Sequence, residues 1–327
     1  MRASFWNAQG GYTQVKGIEL CERFYYEYGE PMLRERFSEI FDLLAIGIVG
    51  SGSECFGYDD EISRDHDFEP GFCIFLPSES VLDSKTEFAL ERAYSKLPRE
   101  FMGMQRNLLA PVGSRRHGVI RVSEFLLDKT GREDGEISID EWFALPEQAL
   151  AELTNGKIFS DPSGLISDVR KRLEYLPESV RRKKLAGELL LMAQSGQYNY
   201  ERCILRGESA AAQLALAEFV KSALHAAFLL GKKYMPYYKW SFRALRELDG
   251  FASLYADLEY LISSSNKGGE VILKKQRIES ICAYIIESAA EQGLCERLSD
   301  SVEEYAYAVN NSISDHRIRN LHVLYGV

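Results

Sequence analysis

Two short stretches hold the residues best suited to chemistry: a glycine–serine turn at Gly50–Ser53 and the carboxylates Asp65 and Asp67. The small residues of the turn let backbone N–H groups approach an anion closely, so the turn predicts a cradle for phosphate groups. On a strand, residues i and i+2 point to one face, so Asp65 and Asp67 converge while His66 points away. Neighbouring carboxylates repel unless a cation lies between them, and oxygen ligands suit Mg²⁺ that carries substrate phosphates. We therefore expect a magnesium site here.

The strands and helices predicted around the glycine–serine turn and the acidic pair can bring these two stretches together. The apolar run 44–49 precedes the turn and the apolar run 72–76 follows the acidic pair, so both are typical of buried strands. The stretch 118–122 predicts a third strand of a small mixed sheet. Helical spacing of apolar residues predicts one or two helices over 17–41 and a crossover helix within 85–102.

A strand, then Gly-Ser, then Asp-x-Asp resembles the signature of the nucleotidyltransferase superfamily, which includes DNA polymerase β and the aminoglycoside nucleotidyltransferases. More narrowly, GSGSECFGYDDEISRDHDF, WFALPEQALAELTNGKIF and YMPYYKW resemble a nucleotidyltransferase-like family with a DUF4037 domain. The resemblance implies that Gly50, Ser51 and Ser53 hold a nucleoside triphosphate, with ATP as the expected co-substrate, and that Asp65 and Asp67 hold Mg²⁺. It implies transfer of a nucleoside monophosphate to a hydroxyl group, with release of pyrophosphate.

The superfamily also uses a third carboxylate, on the next strand, as general base for the acceptor hydroxyl. That strand offers Arg121 instead, and the first acid beyond it is Glu124. Glu124 is the first candidate for the base and Asp140 the second. Absence of the base is the third possibility, and it would leave a nucleotide-binding sensor.

The second half of the chain lacks β-rich runs and is predicted to be helical. Its clearest helix has one apolar stripe, made by Leu216, Phe219, Val220, Ala223, Leu224, Ala227 and Phe228. We therefore predict an α+β protein with a nucleotidyltransferase domain over residues 1–165, an all-helical domain over residues 166–327 and the active cleft between them.

The motif YMPYYKW interrupts the helical half with basic and aromatic residues. It is similar to the part of aminoglycoside nucleotidyltransferases from which a lysine reaches the nucleotide phosphates, so Lys239 is the candidate for that role. Arg243 lies one helical turn further on and would share its face. A solvated connection between two helices is the competing interpretation.

Several other polar groups are expected to be structural. The acidic run 59–61 predicts a solvated loop, and the basic run 181–184 predicts a solvated helical face. His66, His117, His225, His316 and His322 are expected to be packed or hydrogen-bonded residues. The six cysteines form no C-x-x-C pair and are expected to be reduced thiols.

Composition limits the function classes. The chain has 327 residues, 46% of them hydrophobic and 27% charged, and a net charge of −10. This predicts a globular cytoplasmic protein without a secretory signal, a membrane span or a long nucleic-acid partner. The expected acceptor is a hydroxylated small molecule, with a protein acceptor as a further possibility. An antitoxin-like interaction protein without turnover is the alternative from another class.

Overall fold

The structure, a computed structural model, describes the following parts of the chain: the backbone of 5–6 and 12–13, and residues 15–62, 69–106, 117–297 and 299–327. The chain forms two compact units, the first made of residues 1–137 and 149–174, the second of residues 138–148 and 175–327. This division differs from the boundary expected at residue 165. The stretch 138–148, which contains Asp140, belongs to the second unit.

The strands of the described residues all lie in the first unit. They are β1 (Phe5–Trp6), β2 (Tyr12–Thr13), β3 (Ala45–Ile48), β4 (Cys73–Leu76), β5 (Glu100–Phe101), β6 (Met104–Gln105), β7 (Gly118–Arg121) and β8 (Lys157–Ser160). The central sheet has the order β7-β4-β3-β8. β3 is antiparallel to β4 and β8, whereas β4 and β7 are parallel. The predicted small mixed sheet is confirmed.

The helices up to residue 172 cover this sheet or lead into the second unit. They are α1 (Gly17–Phe24), a π-helical segment (Tyr25–Gly29), α2 (Glu30–Arg36), a 3-10 turn (Phe41–Leu43), α3 (Ser84–Tyr94), α4 (Val122–Thr130), α5 (Ile139–Ala144), α6 (Glu147–Thr154) and α7 (Ser167–Arg172). Every residue of β3 and β4 is buried, because both faces of these strands are covered. Beside them, the ring of Phe72 lies 5.1–6.0 Å from the rings of Phe24, Tyr25 and Tyr94.

The second unit is helical throughout its described residues, as predicted. After α5 its elements are α8 (Glu178–Met192), a π-helical segment (Ala193–Tyr200), α9 (Glu201–Leu205), α10 (Ser209–Leu230), α11 (Tyr238–Arg246), α12 (Leu254–Ser263), α13 (Gly269–Glu291), α14 (Val302–Asn311) and α15 (His316–Arg319). α8 packs against both α10 and α14, so it lies at the centre of the unit.

α10 is the core helix of the second unit. All seven residues of its predicted apolar stripe are buried. Among the described residues, α10 is the one helix long and apolar enough to cross a membrane by length and composition. This one helix does not contradict the expectation that the chain has no membrane span. Most of its apolar window is buried by the rest of the unit, as in the core helix of a globular domain.

Candidate functional site

The glycine turn that follows β3 is held by the dipeptide before β8. Oδ1 of Asn155 accepts a hydrogen bond from the N–H of Gly50 at 2.9 Å, and its Nδ2 donates to the carbonyl of Gly50 at 2.7 Å. Gly156 donates its N–H to the carbonyl of Cys55 at 2.8 Å. A Cβ at Gly156 would lie 1.9 Å from the carbonyl oxygen of Ile48, so only glycine fits there. The sequence indicated a turn at Asn155-Gly156 but not this long-range clamp.

The residues predicted to hold phosphate differ in whether their hydrogen-bond donors are accessible. Because Asn155 engages the N–H of Gly50, that group is not available to a phosphate while the bond persists. Gly50 instead shapes the turn with a φ of 120°, which favours glycine. Ser51 is exposed and Ser53 is half-buried. These two serines are the predicted phosphate ligands that the structure leaves at an accessible surface.

Strand register brings four separate segments to one end of the central sheet. Gly47 pairs with Cys73 and Ile48 with Lys157, both antiparallel, so the end of β3 lies beside the beginnings of β4 and β8. Gly118 pairs with Cys73 in parallel, which adds the beginning of β7. We call this end, which carries Gly50, Glu69, His117 and Asn155, the turn edge. The sequence analysis had not singled out Glu69, and it had assigned His117 a packing role.

Asp65 and Asp67 lie in the stretch 63–68, which is outside the described residues. The described chain resumes at Glu69, four residues before β4, so the acidic pair directly precedes the turn edge along the sequence. Two carboxylates form a donor set that suits Mg²⁺. Within the described ranges, no group of three or more His, Cys, Asp or Glu side chains could hold a metal ion.

Asp59 is a buried structural carboxylate, and this corrects the prediction of a solvated acidic loop at that position. Its Oδ2 accepts the N–H of Gly17 at 3.0 Å, at the start of α1. Nζ of Lys16 donates to its carbonyl oxygen at 2.9 Å and lies 3.6 Å from Oδ1. A negative charge at a helix N-terminus is favourable because the first N–H groups of a helix lack partners within it. Asp60 and Glu61 are exposed, as expected.

Glu124, the first candidate for the third carboxylate, does not lie at the turn edge. Glu124 is an exposed residue in the first turn of α4, and α4 begins after the last residue of β7. Because the turn edge contains the first residue of β7, Glu124 follows the opposite end of that strand. Asp140 lies on α5 in the second unit, where its Oδ2 accepts from Arg317 at 3.0 Å. The structure does not bring Glu124 to the glycine turn, and the role of Asp140 stays a prediction.

Lys239 and Arg243 both lie on α11, so their predicted one-turn spacing is confirmed. Lys239 is exposed, and its Nζ lies 5.0 Å from the centre of the Trp240 ring. Neighbouring Tyr237 and Tyr238 are exposed as well. This surface could meet a phosphate-bearing ligand, while the predicted contact with a nucleotide held by the first unit stays a prediction.

A buried ionic network lies below the loop that leads into α11. His225 stands between two carboxylates, with Nδ1 2.6 Å from Oε1 of Glu188 and Nε2 2.9 Å from Oε1 of Glu147. Nζ of Lys184 lies 3.7 Å from the same oxygen of Glu147. The other oxygen of Glu147 accepts the N–H of Met235 at 3.4 Å. The network therefore connects α6, α8 and α10 to the loop that carries YMPYYKW.

The charges of this network fix its protonation. Burial disfavours the charged imidazole, but Glu147 and Glu188 outweigh burial and raise the pKa of His225 from 6.5 to about 10. Burial likewise opposes ionisation of Glu147, yet His225 and Lys184 hold the pKa of Glu147 below its usual range. At neutral pH the network therefore contains the His225 imidazolium paired with the Glu147 carboxylate.

The basic run 181–184 corrects the expectation of a solvated helical face. Arg181, Lys183 and Lys184 are only 3%, 0% and 4% exposed, because α8 has neighbours on both sides. Nη1 of Arg181 donates to the carbonyl of Leu229, at the end of α10. Nζ of Lys183 donates to the carbonyl of Leu321 at 2.6 Å. Arg181 also donates from Nε to the carboxylate of Glu178 at 2.8 Å, so an ion pair and the carbonyl of Leu229 together compensate its charge. Carbonyl oxygens attract cations, and the carbonyl of Leu321 does so for the buried Lys183.

All six cysteines are free thiols, as predicted, and four of them are buried. Burial raises the pKa of Cys282 well above its usual value. Burial also raises the pKa of Cys295. Burial therefore disfavours the thiolate form of these two cysteines.

Comparison with known proteins gives one family match. The family model described as "Domain of unknown function (DUF4037)" matches residues 142–241, so the resemblance to this domain is confirmed for that part of the chain. The matched stretch includes Glu147, Lys184, His225 and Lys239. No curated protein matches the chain.

A solved structure is also similar to this chain. It is a nucleotidyltransferase-like protein from Exiguobacterium sibiricum 255-15, with 13% sequence identity and a TM-score of 0.34 over 88% of this chain and 81% of that chain. A likeness of this degree carries no argument about fold or activity. The similarity to aminoglycoside nucleotidyltransferases is not shown by these comparisons and stays a prediction.

Proposed function

We propose that this protein is a nucleotidyltransferase that moves a nucleoside monophosphate from a nucleoside triphosphate, with ATP as the expected donor, to a hydroxyl of a small molecule. The observation that carries the proposal is the turn edge. The antiparallel register of β3 and β4 sets the Gly50–Ser53 turn beside the segment that enters β4, and the Asp-x-Asp pair directly precedes that segment. A phosphate-binding turn and a carboxylate pair at one sheet end are what such a transfer requires.

In the proposed reaction the acceptor oxygen attacks the α-phosphorus, the bond to the β-phosphate oxygen breaks, and pyrophosphate leaves. Asp65 and Asp67 would hold Mg²⁺, which when bound offsets the negative charge of the phosphates. Ser51 and Ser53 would hold phosphate oxygens through hydroxyl and backbone N–H groups, in a turn kept rigid by Asn155. Lys239 and Arg243 would contact the phosphates from α11, where Lys239 acts as a compact charge. The free cysteines fit a reducing compartment, and we propose a cytoplasmic location.

Calorimetry with a non-hydrolysable ATP analogue and Mg²⁺ tests the metal and nucleotide site. The native chain is expected to bind the analogue, and the variant Asp65→Asn/Asp67→Asn is expected to lose Mg²⁺-dependent binding. The control Asp42→Asn/Asp249→Asn changes the net charge equally at two exposed residues and should bind normally. Equal binding by both variants, with both folded, would contradict the proposal.

Pyrophosphate release separates transfer from binding alone. The full chain is incubated with Mg·ATP and a panel of hydroxylated antibiotics, sugars and proteins. Release that depends on one acceptor class identifies the acceptor. Binding of Mg·ATP without release for any acceptor would indicate a nucleotide sensor, and absence of both would favour an interaction protein.

A further inference from the structure

His117 occupies a fixed place at the turn edge. It immediately precedes β7, whose first residue, Gly118, pairs with Cys73 of β4. Its imidazole ring lies against the backbone of Gly71, where an added Cβ would lie 2.6 Å from Cγ of His117. No other residue at position 71 allows this approach, so the glycine and the strand pairing together set the position of the ring.

The two ring nitrogens of His117 have different surroundings. Nδ1 lies 3.4 Å from Oε1 of Glu69, while the His117 side chain as a whole is 10% exposed. Nε2 is buried and has no hydrogen-bond partner among the residues that the structure describes. A carboxylate at Nδ1 favours the tautomer with the proton on Nδ1, which leaves a lone pair on Nε2. Long contacts of this kind are common in catalytic groups before the substrate binds.

A buried nitrogen without a partner costs free energy, and such groups often have a catalytic or ligand-binding role. The location of Nε2 of His117 agrees with a catalytic role. Glu69 lies two residues after Asp67 in the sequence, and His117 lies at the same sheet end as the Gly50–Ser53 turn. The acid expected to act as the base, Glu124, follows the opposite end of β7.

We propose that His117 is the general base of the transfer and that Glu69 is its positioning residue. The inference rests on the proposed function. As the acceptor oxygen forms its bond to the α-phosphorus, Nε2 of His117 takes the hydroxyl proton and the imidazole becomes an imidazolium. The electron pair of the breaking P–O bond leaves with pyrophosphate. Glu69 accepts the hydrogen bond from Nδ1–H, which holds the proton of the neutral tautomer on Nδ1 and stabilises the imidazolium that forms.

The first test is independent of turnover. Long-range ¹H–¹⁵N spectra of the full chain with labelled histidine report the tautomer of each ring, and the variant His117→Gln assigns the His117 signals. The expected tautomer carries its proton on Nδ1, and Glu69→Gln should shift its signals. A ring that carries its proton on Nε2 has no lone pair for a hydroxyl proton, and this result would overturn the proposal.

The second test measures pyrophosphate release from Mg·ATP, with water and then the hydroxylated panel as acceptors. His117→Gln should lower kcat by about 10²–10⁴-fold, a range typical of a lost general base, and leave the affinity for Mg·ATP within about twofold. Glu69→Gln should lower kcat less, because the glutamine oxygen can still accept from Nδ1–H, although its neutral amide stabilises the imidazolium less than a carboxylate does. His322→Gln replaces an exposed histidine and should leave kcat unchanged.

The outcomes separate this inference from the proposed function. A native chain that does not bind Mg·ATP contradicts the proposed function itself. A His117→Gln variant that binds Mg·ATP and turns over at the native rate overturns only the role of His117. A native chain that binds Mg·ATP but releases no pyrophosphate with any acceptor indicates a nucleotide sensor, which contradicts the proposed transfer and the base assignment together. If His117→Gln does not fold, Glu69→Gln and the tautomer of the native ring decide the question.

Discussion

Replacement of His225 by glutamine tests whether the buried network of the second unit carries the charges that its geometry implies. Glutamine keeps a polar side chain of similar size but removes the positive charge between Glu147 and Glu188. Two carboxylates that are at most 7% exposed would then lose the cation between them, and Lys184 at 3.7 Å would remain beside Glu147. Removing one partner of a buried ion pair costs about 3–5 kcal/mol, because the remaining charge is left uncompensated.

A second estimate comes from linkage between protonation and folding. The pKa of His225 rises from 6.5 to about 10 in the folded chain. Each pKa difference of one corresponds to 1.36 kcal/mol, so the network contributes on the order of 5 kcal/mol through this group. The two estimates agree in size. For a domain of 150–250 residues, a loss of about 3–5 kcal/mol lowers Tm by about 6–20 °C.

The effect must depend on pH in a defined direction. Because the folded pKa of His225 lies above the unfolded value, its contribution is complete below pH 6.5 and disappears as the pH rises to about 10. Glu147 acts in the opposite sense. Its folded pKa is lowered, so its contribution is present above its unfolded pKa and disappears as the pH falls through the folded value. The stability difference between native chain and His225→Gln should therefore shrink between pH 7 and 10.

Urea unfolding of the full chain at pH 6.5, 8 and 9.5 measures this difference, with far-ultraviolet circular dichroism as the signal. His322→Gln, at an exposed residue, is the control and should change stability by less than about 0.5 kcal/mol. Glu147→Gln and the double variant complete a cycle, in which the coupling energy should be about 0.5–3 kcal/mol. A loss below 1 kcal/mol for His225→Gln, or a loss of the same size at all three pH values, would refute the charged network.

Three further predictions concern other parts of the chain. In urea unfolding, Gly156→Ala should cost about 1–3 kcal/mol more than Gly207→Ala. Both glycines have a positive φ, but of the two only Gly156 would place an added Cβ 1.9 Å from a backbone oxygen. Lys183→Met should cost about 1–3 kcal/mol by the same measurement, since it leaves buried oxygens without a donor, and a neutral result would contradict the hydrogen bonds described. Lys239→Ala should weaken ATP binding, measured by calorimetry, by about 1.5–3 kcal/mol, which is roughly ten- to more than a hundredfold. Lys239→Arg should restore part of this affinity. Equal losses in Lys239→Ala and in the exposed control Lys221→Ala would indicate only a general charge effect.

Local sequence patterns were sufficient to predict several strands and helices of this protein. Apolar runs of four to six residues predicted β3 and β4, and helical spacing predicted the buried stripe of α10, because burial imposes the periodicity of each element on its residues. The strand at 118–121 was also predicted, although the chain turns into α4 at Val122. That early change of element is why Glu124 is on a helix, where no strand periodicity applies.

The sequence by itself determined the composition of the candidate site, namely the Gly50–Ser53 turn and the acidic pair Asp65 and Asp67. Only the tertiary structure decided which distant groups join it. Asn155 and His117 reach the turn edge through strand pairing, and pairing partners far apart in the chain leave no periodic signal in either segment.

Which charged side chains are buried was likewise decided by the tertiary structure. From the sequence, we could not distinguish buried charges in the run 181–184 or at His225 from solvated or packed residues. A charged side chain is buried only where another group compensates it. In the folded chain, the carbonyl of Leu229 adds to the nearby Glu178 in compensating Arg181. The carbonyl of Leu321 compensates Lys183, and two carboxylates compensate His225. Apart from Glu178, these groups lie between 37 and 138 residues away in the sequence, so only the packing of α8, α10 and their neighbours could identify them.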